Sequence, residues 1–195
     1  MSKRELNKVI IRERLLKEAL RLFSEKGFEQ TTVADIVAAC EIGRGTFYNY
    51  FSDVKNIFDA VIDRVTEEVQ EVVKEARQEA TSIYELMYYS FKSYFEFASD
   101  ERLKDFHRKN QAYIRSTSYG SESINRIVDD IRKDLTTHKT LGRFDNEVDF
   151  QLLSFVLVGA PVELFLNIHA TDVDISTEKM ATFLAQLFTK GISGK

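Results

Sequence analysis

The chain has 195 residues, of which 44% are hydrophobic and 30% charged, a balance that is ordinary for globular proteins and excludes wholesale disorder. Its single cysteine, Cys40, excludes an internal disulfide. The charged N-terminus lacks the apolar run of a signal peptide, and the longest apolar stretch, 155–162, is far shorter than a membrane helix needs, so the sequence predicts a cytoplasmic protein.

The net charge of −4 is unevenly distributed along the chain. The first 58 residues carry ten Lys/Arg and eight Asp/Glu, whereas the rest carries seventeen and twenty-three. An acidic body with a mildly basic N-terminal part is compatible with binding DNA through a local patch. Lys3, Arg4 and Lys8 fit either a basic arm that reaches DNA or a frayed, solvated terminus.

One proline and eight glycines among many helix-forming residues predict a chain that is nearly all helix. The first apolar pattern predicts an amphipathic helix over 9–26 that ends at Gly27. Thr31 or Thr32 then caps a short helix that runs to about Cys40.

A break at 41–43 separates this helix from a second short one over 44–51. Ser52 or Asp53 caps a long helix predicted over 54–79, and a markedly aromatic helix follows over 84–97. The remaining patterns predict helices over 102–114, 122–137, 146–169 and 176–190. The predicted fold is therefore all-α, with an N-terminal helix-turn-helix domain (1–55), a linking helix (54–79) and a helical C-terminal domain (80–195) for effector binding and dimerisation.

The two short helices and their three-residue break have the dimensions of a DNA-binding helix-turn-helix. Phe47 and Phe51, four residues apart, are expected to face the core. The outer side of the second helix then presents Arg44, Gly45, Thr46, Tyr48 and Asn49. Arginine can fork onto a guanine edge, asparagine can pair with adenine, and tyrosine hydroxyls can reach phosphate oxygens.

The same region resembles the TetR (tetracycline repressor) family. The resemblance rests on Phe23, Gly27-Phe28, Thr31-Thr32, Ile36 and the string GRGTFYNYF over 43–51. It implies a DNA-binding set of Thr32, Arg44, Gly45, Thr46, Tyr48, Asn49, Tyr50 and Lys55. Three positions depart from the family pattern. Gly43 replaces the family's usual serine cap. Glu41 stands where the family has glycine in the turn, and Lys55 lies one residue beyond the family's phosphate-binding lysine.

The aromatic helix over 84–97 has two interpretations. Core packing alone explains it, and so does the wall of a cavity for an apolar or aromatic ligand. Under the second interpretation, helical spacing selects the lining residues Tyr88, Phe91, Phe95, His107, Asn110 and Tyr113.

The last two predicted helices carry long apolar faces at the end of the chain. The resemblance implies that they pair with a second copy as a four-helix interface. The candidate interface residues are Phe155, Val158, Val162, Phe165, Phe183, Leu184, Leu187 and Phe188.

These patterns together predict a homodimeric transcriptional repressor that binds a palindromic operator in double-stranded DNA and is released by a small apolar or aromatic effector, through a tilt of the linking helix. Two alternatives remain: a DNA-binding architectural or cell-division factor of the same fold without an effector, and a ligand carrier whose N-terminal helices only pack. No phosphate loop, nucleophile motif or paired-carboxylate site supports an enzyme. His107, His138 and His169 lie about thirty residues apart without carboxylates at ligand spacing, so neither a metal nor another cofactor is expected.

Overall fold

The computed structural model describes residues 2–118, 122–137, 149–171 and 173–191, and every regular element within these ranges is an α-helix. The predicted all-α fold is therefore confirmed. The helices are α1 (Lys3–Lys26), α2 (Val33–Ala39), α3 (Arg44–Tyr48), α4 (Val54–Ala76), α5 (Ile83–Ala98), α6 (Glu101–Ser118), α7 (Glu122–Thr137), α8 (Phe150–His169) and α9 (Thr177–Lys190). His138 and the predicted loop over 140–145 lie outside the described residues.

Local capping explains where the first helices begin and end. Ser2 and Glu5 form a reciprocal capping box at the start of α1, so the helix begins at Lys3, earlier than its apolar pattern indicates. Gly27 ends α1 with a positive φ of 83°, and its N–H donates to the Phe23 carbonyl. Thr32, rather than Thr31, is the N-cap of α2.

The chain divides into two compact units. The first contains residues 1–65 and 101–116, and the second contains 66–100 and 117–195. The sequence placed everything after residue 80 in one C-terminal domain, whereas the structure groups most of α6 with the N-terminal helices. The reason is a set of long-range contacts between α6 and the end of α1 that no local pattern contains.

The core of the first unit is aromatic where α1, α4 and α6 meet. Phe58 of α4 lies at its centre, with ring centroids 4.8 Å from Phe23 and 5.5 Å from Phe106. All three rings are almost fully buried, and the burial of their apolar area stabilises this unit.

The core of the second unit forms around α5. Phe91 and Phe95 of α5 are buried against α8 and α9, where Phe165 and Leu184 belong to the same apolar cluster. Tyr88 is half-buried at the edge of this cluster. Within the described residues, core packing thus accounts for much of the aromatic pattern of α5.

Helix α8 is longer and more apolar than the stretch 155–162 suggested. Its 20 residues include an 18-residue window with a mean hydropathy of 1.7, and 28% of that window is buried. By length and composition alone, this helix could cross a membrane. Core and interface helices have the same composition, and length alone therefore does not assign this helix to a bilayer.

Candidate nucleic-acid interface

Helix α3 buries one side and exposes the other, as the sequence predicted. Its regular part ends at Tyr48, three residues earlier than expected, and single turns continue to Phe51, whose N–H donates to the Phe47 carbonyl at 3.1 Å. Phe47 and Phe51 are 0% and 4% exposed, which anchors α3 to the unit. The segment therefore has a fixed inner face and a free outer face.

The outer face carries four exposed residues. Arg44, Gly45 and Asn49 are exposed, and Tyr48 is 55% exposed, although its ring lies edge-on to Phe47 at 5.5 Å. No heavy atom lies within 4 Å of the position that a Cβ at Gly45 would take, so this surface is open to an approaching backbone. Thr46 and Tyr50 are half-buried at the border of this face.

The turn before α3 contains a residue with a positive φ. Glu41 has a φ of 52°, in the left-handed region that favours glycine. Gly43 caps α3 without a side-chain hydrogen bond. The turn geometry is thus retained, at the cost of backbone strain at Glu41.

The start of α2 is organised by a second capping box. The exposed Thr32 accepts a hydrogen bond from the Asp35 amide and donates its hydroxyl to the Asp35 carboxylate at 2.7 Å. The ammonium group of Lys26 lies 2.7 Å from the same carboxylate. The contact with Lys26 has the largest effect on the pKa of Asp35, and together with the contact from Thr32 it lowers that pKa to about 2. The hydroxyl of Thr32 is therefore already engaged locally, and its phosphate contact stays a prediction.

Lys55 is exposed near the start of α4. Its ammonium group lies 2.8 Å from the Asp59 carboxylate, which raises the pKa of Lys55, and 5.9 Å from the centre of the Tyr113 ring. A phosphate contact would have to compete with Asp59 for this charge.

A set of contacts from α6 holds the turn between α1 and α2. The Asn110 amide nitrogen donates to the carbonyls of Phe23 at 3.0 Å and Phe106 at 2.7 Å, and its oxygen accepts from the Phe28 amide at 2.7 Å. Lys109 donates to the carbonyl of Glu25. The side chains of α6 thus satisfy the backbone groups that the end of α1 leaves open.

The structure does not bring the six candidate ligand residues together in one unit. Tyr88, Phe91 and Phe95 belong to the second unit, whereas His107, Asn110 and Tyr113 belong to the first. Asn110 is 3% exposed and its hydrogen bonds are directed at α1, so its proposed role as a lining residue is wrong. Tyr113 stacks on Phe28, with centroids 4.3 Å apart.

His107 keeps a distinct electrostatic character. Burial lowers its pKa to about 4, so the imidazole is neutral at physiological pH. A neutral imidazole can serve a ligand as a hydrogen-bond donor or acceptor.

The proposed dimer residues divide between core and surface. Phe165 and Leu184 are 1% and 3% exposed and lie in the core of the second unit, so a surface role for them is wrong. Val158, Val162, Leu187 and Phe188 are half-buried. Phe155 and Phe183 are exposed, and Leu152 and Val156, which the sequence argument missed, are exposed as well.

The other chemistry-bearing residues are accounted for locally. Cys40 is buried, and its sulfur lies 3.7 Å from the Arg14 carbonyl. Among the described residues, no group of His, Cys, Asp and Glu could hold a metal ion.

Comparison with known proteins agrees with this geometry. Residues 15–61 match the sequence profile of the family described as bacterial regulatory proteins, tetR family. A 57-residue stretch is 39% identical to the HTH-type transcriptional repressor ComR of Escherichia coli strain K12, which corresponds to 29% of this chain and 27% of that protein. The matched stretches span only 13–27% of the lengths of the curated relatives.

Solved structures share the whole fold at low sequence identity. The fatty acid degradation regulator FadR of Bacillus halodurans is 19% identical, with a TM-score of 0.79 over 94% of this chain and 97% of that one. The transcriptional regulator FadR of Bacillus subtilis, solved in complex with stearoyl-CoA, is 18% identical, with a TM-score of 0.73 over 92% and 98% of the two chains. At these identities the likeness shows a common fold.

Proposed function

We propose that this chain, whose residues 15–61 match the profile of the tetR family of bacterial regulatory proteins, is a transcriptional repressor that binds a palindromic operator as a homodimer and leaves it when a small apolar molecule binds.

The observation that carries the proposal is the two-sided α3 segment. Phe47 and Phe51 anchor its inner face, while Arg44, Tyr48 and Asn49 are exposed on its outer face. An anchored helix whose outer side offers a guanidinium, a phenol and an amide matches what the major groove requires for reading base edges and phosphates.

The apolar residues that the second unit leaves exposed support the proposed dimer. Leu152, Phe155 and Val156 lie three and four positions apart on α8, and Phe183 is 56% exposed on α9. A monomer would keep these side chains in water, whereas a second copy would cover them in a four-helix interface. Two-fold symmetry would then place two α3 segments on successive major grooves, about 34–36 Å apart.

The proposed effector is apolar because the second unit offers mostly aromatic and aliphatic side chains around α5. Long-chain acyl compounds are the first class to test, since one protein of this fold was solved with stearoyl-CoA. Release requires that the effector bind the DNA-free geometry more tightly than the DNA-bound one. We propose that α4, which continues from the first unit into the second, changes its tilt between these two states.

The proposal is tested by selecting duplexes from a random library with the wild-type protein and measuring binding to the enriched sequence. We expect an inverted repeat, and a loss of at least tenfold in affinity for Arg44→Ala or Tyr48→Ala. Arg108→Ala is the matched control, because it also removes an exposed arginine, here paired with Asp105 on α6, and should leave binding unchanged.

Three other outcomes contradict parts of this proposal. Selection without enrichment would leave the architectural-factor alternative, which genome-wide binding at many unrelated sites would support. Full binding by both alanine variants would refute α3 as the reading element. Acyl-CoA or other apolar ligands that bind without changing operator affinity would refute the proposed release mechanism.

A further inference from the structure

The N-terminal half of α1 carries a row of positive charges that leads to the end of the α3 segment. Arg4, Lys8 and Arg12 are exposed, and their spacing of four residues places them on one face of the helix. The guanidinium of Arg12 lies 5.7 Å from the centre of the Phe51 ring, which closes the α3 segment. The row therefore begins beside the proposed DNA-reading element and extends about 12 Å away along α1.

This row is ordered. The capping box of Ser2 and Glu5 makes residues 3–12 part of α1, whereas the sequence left a frayed terminus as an alternative. The carboxylate of Glu5 accepts a hydrogen bond from the Ser2 amide. Among the ion pairs in the described part of the chain, the one that involves a residue of this row joins Arg12 to Glu13. The distance of 4.0 Å is the upper limit for such a contact.

From this placement we infer that Arg4, Lys8 and Arg12 form a second DNA-contacting surface, which binds the phosphate backbone of the same duplex that α3 reads. The inference rests on the proposed function. Phosphate contacts of this kind add affinity and fix register, but they carry no sequence information. The row should thus strengthen binding equally on operator and on unrelated DNA.

An anionic membrane surface is the competing partner, since Leu6, Val9 and Ile10 are exposed on the other side of the same helix segment. DNA is favoured because Arg12 fixes the row to Phe51 and hence to the reading segment. Binding to a membrane would not require the row to contact the α3 segment.

The test measures how binding depends on salt. The probes are a 30-base-pair duplex of mixed sequence and the duplex enriched by selection, each titrated with the wild-type protein over a series of KCl concentrations. We expect the slope of log affinity against log salt to fall by about one for Lys8→Gln and by about two for Arg4→Gln/Lys8→Gln, to the same extent on both duplexes.

Lys17→Gln is the matched control. It removes one exposed lysine from the same helix, but from a position nine residues after Lys8, which lies on the opposite face. Circular dichroism of each variant should show unchanged helix content, because all substituted side chains are exposed.

An unchanged slope for Lys8→Gln and the double variant, or an equal fall for Lys17→Gln, would overturn the inference while leaving groove reading intact. Loss of binding to phosphatidylglycerol vesicles with an unchanged DNA slope would assign the row to lipid instead. A wild-type protein that binds neither duplex would refute the proposed function and the row together.

Discussion

The side-chain amide of Asn110 donates to the carbonyl of Phe23, 87 positions earlier in the chain, at 3.0 Å. The same side chain accepts from the Phe28 amide, so one residue of α6 bridges the last turn of α1 and the first residues beyond it. This turn leads to Thr32, the cap of α2. The position of the helix-turn-helix thus depends on a contact with α6 as well as on its own sequence.

Replacing Asn110 should destabilise the first unit. Asn110→Leu keeps a similar volume but leaves the part-buried Phe28 N–H and the buried Phe23 carbonyl without their partner, and we expect the free energy of unfolding to fall by about 2–3 kcal/mol. Urea denaturation at fixed protein concentration measures this. Asn7→Leu, at an exposed position of α1, is the control and should stay within about 0.5 kcal/mol of the wild type. Equal midpoints for both variants would contradict the bridging role.

The strained turn offers a stabilising substitution. Glu41 has a φ of 52°, so glycine should fit this position with less strain than any residue with a Cβ. We expect Glu41→Gly to be about 1 kcal/mol more stable than Glu41→Ala, since both remove the charge and only one removes the strain. Thermal unfolding of the two variants provides the comparison, and an alanine variant as stable as the glycine variant would show that the turn stores no strain.

Local patterns predicted the helix-turn-helix well because its signals are local. The spacing of Phe47 and Phe51 and the glycine at position 27 each act within one or two helical turns. The role of Asn110 could not be read in the same way, since its partners lie 82 and 87 positions away. Helix spacing showed that it faced inward, but not what it faced.

Helix α8 shows a second limit of pattern reading. Apolar residues surround it on nearly every side, so the period of 3.6 residues does not tell the core face from the dimer face. Phe155 and Phe165 were therefore predicted as equivalent, whereas one is exposed and the other is buried on Phe95 and His169. The distinction comes from packing against α5 and α9, which only the tertiary structure shows.

The half-buried imidazole of His107 predicts a pH-dependent stability. Burial lowers its pKa to about 4, below the value of 6.5 in an unfolded chain, so the unfolded state binds the proton first as the pH falls. The contribution of His107 to the free energy of unfolding is therefore fully present above pH 6.5, falls between pH 6.5 and 4, and changes no further below pH 4. The total loss is up to about 3 kcal/mol.

His107→Gln should flatten this part of the profile, whatever its effect on stability at neutral pH. Unfolding by urea at pH 7.5, 6, 5 and 4 provides the measurement. A variant that loses stability over this range as steeply as the wild type would assign the effect to other groups.

The separation of core and surface on α8 and α9 predicts two different phenotypes. Phe155→Glu and Phe183→Glu place a charge on exposed apolar positions, so we expect folded monomers with weakened operator binding, because one α3 segment then acts without its twin. Leu184→Ala removes a buried side chain and should instead lower the free energy of unfolding by about 2–5 kcal/mol. Sedimentation analysis separates the two effects, with Leu6→Glu on α1 as the control for a charge at an exposed apolar position. Dimers that persist in both glutamate variants would show that α8 and α9 do not form the interface, and the two-fold arrangement of the reading segments would then need another origin.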